Sequence, residues 1–122
     1  KNLAVSGTEF VPMPIAFTED DIAVLLDEPV SLQVVISNEG NVDSYDVVVL
    51  ILVTDEFEET VYESKNKISS IGPKESKIFL TDPINIEKGI QHEWFIKIEE
   101  IDDEEELSDN LLSIYAFIPP ES

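Results

Sequence analysis

Apolar and polar side chains alternate along most of this chain, with a period near two residues. Residues 30–37 show the pattern most clearly, because one face carries only Val, Leu and Ile and the other carries Ser31, Gln33 and Ser37. A period of two is typical of a β-strand with one buried face. Segments with the period of an amphipathic helix are hard to find. The pattern therefore predicts an all-β fold.

Several segments rich in β-branched and aromatic residues lie between turn-forming residues. They span residues 3–10, 22–26, 30–37, 47–53, 60–64, 76–81, 91–99 and 111–118, and the second is expected to be a short edge strand. About seven strands at this spacing fit an immunoglobulin-like β-sandwich of two sheets. The 122 residues can bury a core without a disulfide or a metal.

We expect residues 1–122 to form a single domain, because the chain shows no internal repeat and no flexible Gly/Ser linker. The chain starts at Lys1 and ends with residues 118–122, which include two consecutive prolines. Both ends indicate a domain excised from a larger multidomain protein.

An unbroken apolar run, VVVLILV, occupies residues 47–53 between Asp46 and Thr54. A strand with one solvated face would alternate, so the run predicts a strand covered on both faces for at least part of its length, by a loop or a neighbouring domain. The corner before it, NEGN at residues 38–41, offers Gly and Asn for the left-handed backbone that a tight connection needs.

The charge balance is strongly acidic. Asp and Glu total 27 residues against 7 lysines, which gives a formal net charge of −20. Such a surface repels nucleic-acid phosphates, so nucleic acid is excluded as a partner. No apolar stretch approaches the ~20 residues needed to span a bilayer, so direct membrane insertion is not expected. Solubility, or life in a salt-adapted organism, explains the acidity without any ligand.

The residues that catalysis usually needs are scarce. The chain has no cysteine and one histidine, His92, and its four glycines stand singly. No Gly-x-Ser-x-Gly elbow supplies a nucleophile, and isolated glycines do not build a phosphate-binding loop. His92 is expected to be an exposed residue at the start of a strand. The sequence therefore predicts a protein that is not an enzyme, with no catalytic residue and no bound cofactor.

Three acidic clusters, at residues 19–21, 55–59 and 102–109, offer oxygen ligands for Ca²⁺. Calcium takes about six to eight oxygens from carboxylates and carbonyls. The last cluster packs the most ligand types into one loop, and its candidate metal ligands are Asp102, Asp103, Glu105 and Asp109. None of the clusters has the Asp-x-Asp-x-Asp-Gly spacing of a dedicated calcium loop. The alternative is that the acidic turns are solvated and keep strand edges from pairing.

Sugar binding by a β-sandwich depends on exposed aromatic rings, which stack on the face of a pyranose. Trp94 is in phase with Ile96 and Ile98 and is expected in the core. Phe95, by contrast, is out of phase with those residues and is expected on a second face or in a contact patch. The candidate rings are Tyr45, Tyr62, Trp94, Phe95, Tyr115 and Phe117.

Residues 28–47, EPVSLQVVISNEGNVDSYDV, resemble the second strand, Asn-x-Gly corner and third strand of the CARDB family, which are cell-adhesion-related modules of bacteria and archaea. Three further segments follow in the family's order: LAVS at residues 3–6, IGPKES at 71–76 and EELSDNL at 105–111. In the last of these, Asp109 replaces the first of the family's paired asparagines. The resemblance implies an immunoglobulin-like, surface-exposed and non-catalytic module.

We therefore expect a structural or interaction module of the adhesion type, located outside the cell or at the cell surface. Its expected partners are neighbouring domains of the same chain or another surface protein. The alternative is an accessory module that binds calcium or a glycan.

Overall fold

The computed structural model of the protein describes residues 3–100 and 111–120, without the side chain of Glu100. This part of the chain forms strands and turns, and none of it forms a helix able to cross a membrane. The strands are β1 (Leu3–Val11), β2 (Ala16–Phe17), β3 (Ala23–Val24), β4 (Ser31–Asn38), β5 (Ser44–Asp55), β6 (Thr60–Ile71), β7 (Ser76–Leu80), β8 (His92–Glu100) and β9 (Leu111–Phe117). All but β2 and β3 have five or more residues, which confirms the predicted all-β class and the expected number of about seven strands.

The strands form two sheets that pack face to face. The small sheet has the order β1-β4-β7, and the large sheet has the order β2-β3-β9-β8-β5-β6. Paired strands are antiparallel except β3 and β9, which are parallel. The chain returns to the small sheet at β4 and again at β7, which is the immunoglobulin-like form of a β-sandwich.

The core lies between the sheets and is built from every second residue of the long strands. Phe10 meets Trp94 edge to face, with ring centroids 4.9 Å apart. Burial of one side chain of this kind stabilises the fold by roughly 1.5–3 kcal/mol. The central core residues are Phe10 of β1; Leu32, Val34 and Ile36 of β4; Val47, Val49, Ile51 and Val53 of β5; and Trp94, Ile96 and Ile98 of β8.

The apolar run at residues 47–53 is buried on one face and half-buried on the other within the described part of the chain, so its predicted cover by a loop or a neighbouring domain stays a prediction. Its odd-numbered residues are fully buried, whereas Val48, Leu50 and Leu52 are half-buried on the outer face of the large sheet. Leu50 lies between Lys65 of β6 and Lys97 of β8. The aliphatic stems of such lysines shield apolar neighbours while their ammonium groups stay in water.

Strand β6 is longer than the segment predicted at residues 60–64. It continues through a polar stretch to Ile71 because β5 offers a backbone partner along its whole length, from Ser44 opposite Ile71 to Thr54 opposite Thr60. Pairing with a long neighbour has outweighed the low strand propensity of Ser, Asn and Lys.

The chain crosses from the small sheet to the large sheet through residues 12–15. The strand predicted at residues 22–26 is only Ala23–Val24, and it is not an edge strand as expected. It lies between β2 and β9, because residues 16–17 add one more short strand outside it. Its backbone pairing is extended by Leu25, whose N–H donates to Phe117 O at 2.9 Å.

The corner at residues 38–41 does not use left-handed backbone, so that prediction is also wrong. The fully buried side chain of Asn38 holds it instead. Its Nδ2 donates to Val42 O (2.8 Å) and Ile71 O (2.9 Å), and its Oδ1 accepts from the N–H of Gly40 (2.9 Å). One amide side chain thus joins β4, the β4–β5 corner and the end of β6.

Glu58→Gly is expected to raise the free energy of unfolding by about 0.5–1 kcal/mol, because left-handed backbone costs a residue with a Cβ roughly 1–2 kcal/mol and glycine less. Glu58 lies in the β5–β6 turn with φ of 65°, and its N–H donates to Asp55 O (3.0 Å). Urea unfolding measures the change. Glu59→Gly is the control, since Glu59 is not left-handed and should only lose stability. A loss in both variants would contradict the prediction.

Candidate interaction surface

The predicted calcium ligands Asp102, Asp103, Glu105 and Asp109 lie outside the described residues. The structure therefore does not place the predicted calcium site. Within residues 3–100 and 111–120, no three His, Cys, Asp or Glu side chains form a group that could hold a metal ion.

The acidic cluster at residues 55–59 is engaged in building its own turn. Asp55 Oδ1 accepts from the N–H groups of Phe57 (2.8 Å) and Glu59 (3.0 Å). Glu56 Oε1 accepts from the N–H of Gln91 (3.0 Å), which ties the turn to the start of β8. These carboxylates therefore have a structural role as hydrogen-bond acceptors.

His92 is buried, with 1% of its surface exposed, so the expectation of an exposed strand-end residue is wrong. Its Nδ1 lies 2.9 Å from Ile90 O. A carbonyl oxygen only accepts, so Nδ1 carries the hydrogen and Nε2 is left as an acceptor in the neutral ring. His92 borders a cavity of about 200 Å³ shared with Thr54, but no hydrogen bond joins the ring to a Ser or Thr hydroxyl in the described part of the chain. The histidine anchors the start of β8.

The candidate aromatic rings do not form one row. Trp94 is in the core, as predicted, and the partly buried Tyr62 packs against the core. Phe95, Tyr115 and Phe117 lie on the outer face of the large sheet, and Tyr115 is 40% exposed. Tyr45, at the other end of β5, is 50% exposed.

The Tyr45 hydroxyl donates to Asp43 Oδ2 (3.0 Å). This hydrogen bond and the charge of the carboxylate raise the pKa of Tyr45.

The outward surface of the small sheet, called here the small-sheet face, is almost uncharged. It is formed by the residues that alternate with the core residues of β1, β4 and β7. Among the described residues it consists of Ala4, Ser6, Gly7, Glu9, Val11, Gln33, Val35, Ser37, Ser76, Ile78 and Leu80. Glu9 is its one charged residue, although charged residues make up 28% of the chain.

Three large apolar side chains of this face are open to solvent. Ile78 is 65% exposed, Leu80 is 56% exposed and Val11 is 43% exposed. Gly7 lies across the sheet from Ile78 with Val35 between them, and a Cβ added to Gly7 would stand 3.6 Å from Cγ2 of Val35. Because glycine has no side chain there, Val35 stays accessible from outside.

Three serines bond to one another across the small sheet. Ser37 Oγ lies 2.6 Å from Ser6 Oγ and 2.8 Å from Ser76 Oγ. Each hydroxyl thus has a partner within the sheet, so this part of the face can be covered without leaving an unsatisfied polar group.

The outer face of the large sheet differs in charge. It carries Lys65, Lys67 and Lys97 beside the acids Glu63, Glu93 and Glu99, with Lys97 Nζ 3.4 Å from Glu99 Oε2. These charges favour contact with water. The small-sheet face is therefore the better candidate for contact with another protein.

Comparison of the chain with protein-family models, and with curated protein sequences, found no match.

Proposed function

We propose that this domain is a non-catalytic structural and interaction module of the adhesion type, which packs its small-sheet face against another domain at the cell surface. The observation that carries the proposal is the exposure of Ile78, Leu80 and Val11 on a face with a single charged residue, in a chain of net charge −20. The partner is a neighbouring domain of the same protein or a second surface protein.

The chemistry of the face supports this proposal. The central parts of protein interfaces are depleted in charged residues, and exposed apolar patches often mark the sites where proteins meet. Contact through the outer face of the large sheet would bring a partner close to carboxylates that need water, those of Glu63, Glu93 and Glu99. Contact through the small-sheet face buries apolar side chains and leaves most of the negative charge hydrated.

The fold supports a rigid module that holds neighbouring domains at a fixed distance. The buried side chain of Asn38 fixes three segments at one end of the sandwich, and the close-packed core resists bending. The resemblance of residues 28–47 to CARDB modules supports the surface location. A rigid body with one contact face would hold its neighbours at a set distance.

Covering of the small-sheet face can be measured by thiol labelling, because the chain contains no cysteine. Ile78→Cys places a thiol on this face, and Val61→Cys places one on β6, where Val61 is 39% exposed. We expect maleimide to label the Ile78→Cys variant about tenfold more slowly in the whole protein on its producing cells than in the isolated domain, since a covered thiol is shielded.

The Val61→Cys variant is the matched control and should be labelled at the same rate in both settings. Equal rates for both variants in both settings would overturn the proposal, because the small-sheet face would then be free in the cell. Circular dichroism of each isolated variant verifies that the sandwich is intact.

A further inference from the structure

A cavity of about 330 Å³ opens at one side of the sandwich, between the edges of the two sheets. Its floor is apolar and includes Phe10 of β1, Ala23 of β3 and Ile114 of β9. The rest of the lining is formed by Thr8, Glu9, Met13, Pro14, Phe17, Asp21 and Tyr115. Pockets that bind ligands span roughly 300–1,000 Å³, so the cavity lies at the lower end of this range and is large enough to receive an apolar side chain of a partner.

Residues 12–17, which comprise the crossing between the sheets and strand β2, form an apolar rim beside this cavity. Met13 is 66% exposed, Ile15 is 61% exposed and Phe17 is 62% exposed. Three large apolar side chains exposed within five residues form a patch of the kind that binds a macromolecule. The apolar contact surface therefore extends beyond the cavity itself.

Two carboxylates border the cavity. Glu9 and Asp21 line it, and neither carboxylate has a hydrogen bond or an ion pair within residues 3–100 and 111–120. None of the lining residues is a lysine. The mouth of the cavity is thus negative and uncompensated, in a domain whose net charge is −20.

We infer that this cavity binds a short segment of a partner protein in which an apolar side chain stands next to lysine or arginine. The apolar side chain enters the cavity over Phe10, and its basic neighbour meets Glu9 and Asp21. The charges are complementary, and the rim at Met13 and Phe17 covers the flanking backbone. This inference does not depend on the proposed function: the two sites share Glu9 at their border, but Ile78, Leu80 and Val11, which carry that proposal, do not line the cavity.

The test uses the acetylated tripeptide amide Lys-Leu-Lys, with Glu-Leu-Glu and Lys-Gly-Lys as matched peptides. Binding to the domain is followed by amide shifts of Ala23 and Ile114 in nuclear magnetic resonance titrations at low salt. We expect Lys-Leu-Lys to bind about tenfold more tightly than either matched peptide, since one lacks the complementary charge and the other lacks the apolar side chain. Equal affinity of Lys-Leu-Lys and either matched peptide would overturn the inference.

Variants of the protein locate the site. Met13→Ala with Phe17→Ala should weaken Lys-Leu-Lys about tenfold, whereas Phe57→Ala, which removes an equally exposed ring outside the cavity, should not. Glu9→Gln with Asp21→Asn should weaken it similarly, while Glu19→Gln with Asp20→Asn keeps the affinity.

If the matched control variants weaken binding as much as the cavity variants, general charge attraction would explain the binding and the inference would fall. Ile78→Glu adds a charge to the small-sheet face and should leave peptide binding unchanged. Loss of binding in that variant would show that the peptide uses the small-sheet face, and the cavity would not be the site.

Discussion

Asn38→Ala is expected to lower the free energy of unfolding by about 2–4 kcal/mol, although it removes only a small polar group. The substitution leaves Ile71 O, Val42 O and the N–H of Gly40 without the partner that Asn38 supplies. A buried polar group that loses its partner costs roughly 1–3 kcal/mol. The bond to Ile71 O is fully buried, so water does not replace it without opening the corner. Urea titration measures the change.

Asn41→Ala is the matched control, since Asn41 is in the same corner and exposed. Its effect should stay within about 0.5 kcal/mol, as is usual for surface positions. If the two variants unfold at the same urea concentration, the corner is not held by the side chain of Asn38. An unchanged slope of the free energy of unfolding against urea concentration verifies that both variants unfold in the same transition.

Ile51→Asp is expected to unfold the domain. Ile51 has no exposed surface and lies on an internal strand of the large sheet, between Ser64 of β6 and Ile96 of β8. An aspartate there either loses the hydration of its charge or takes up a proton, and in both forms it leaves an unpaired polar group in the core. Together with the loss of the isoleucine side chain, this costs several kcal/mol of the roughly 5–15 kcal/mol that holds a typical domain together. Loss of the dispersed amide resonances of a folded sandwich would show the effect.

Leu50→Asp differs by one position along the strand and should stay folded. Leu50 is half-buried on the outer face, where Lys65 and Lys97 flank it and can pair with a carboxylate. We expect a loss of roughly 1–2 kcal/mol from the apolar surface given up. Unfolding of both variants would show that the outer face is as closely packed as the core.

The strands that carry the core were predictable because their pattern reflects burial directly. In β4 the alternation at residues 30–37 indicates both the strand and its inner face. Leu32, Val34 and Ile36 of that face are fully buried in the structure. For β5 the sequence indicated the strand but not its inner face, since both faces are apolar. The face was decided by pairing with β6 and β8, which a local pattern does not contain.

The features of the two proposed contact sites depend on distant pairing and were not predicted. The small-sheet face needs Ser6, Ser37 and Ser76 to meet across three strands that are far apart in sequence. The cavity needs residues 12–17 to cross between sheets, and prolines there remove any regular period. His92 was misjudged because a polar residue at a strand end is usually exposed, whereas here Ile90 O satisfies it inside the fold.

The parallel pairing of β3 with β9 has a mechanical consequence. Ala23 lies opposite Ala116 and Val24 opposite Phe117, so the two strands run side by side in the same direction. Tension applied before β3 and after β9 pulls neighbouring strands from opposite ends, and the bonds between them are loaded in shear. Bonds loaded in this way must break together and cannot open one at a time. Because β1 and β2 precede β3 in the chain, β3 and β9 act as a clasp that bears tension once β1 and β2 have been pulled away.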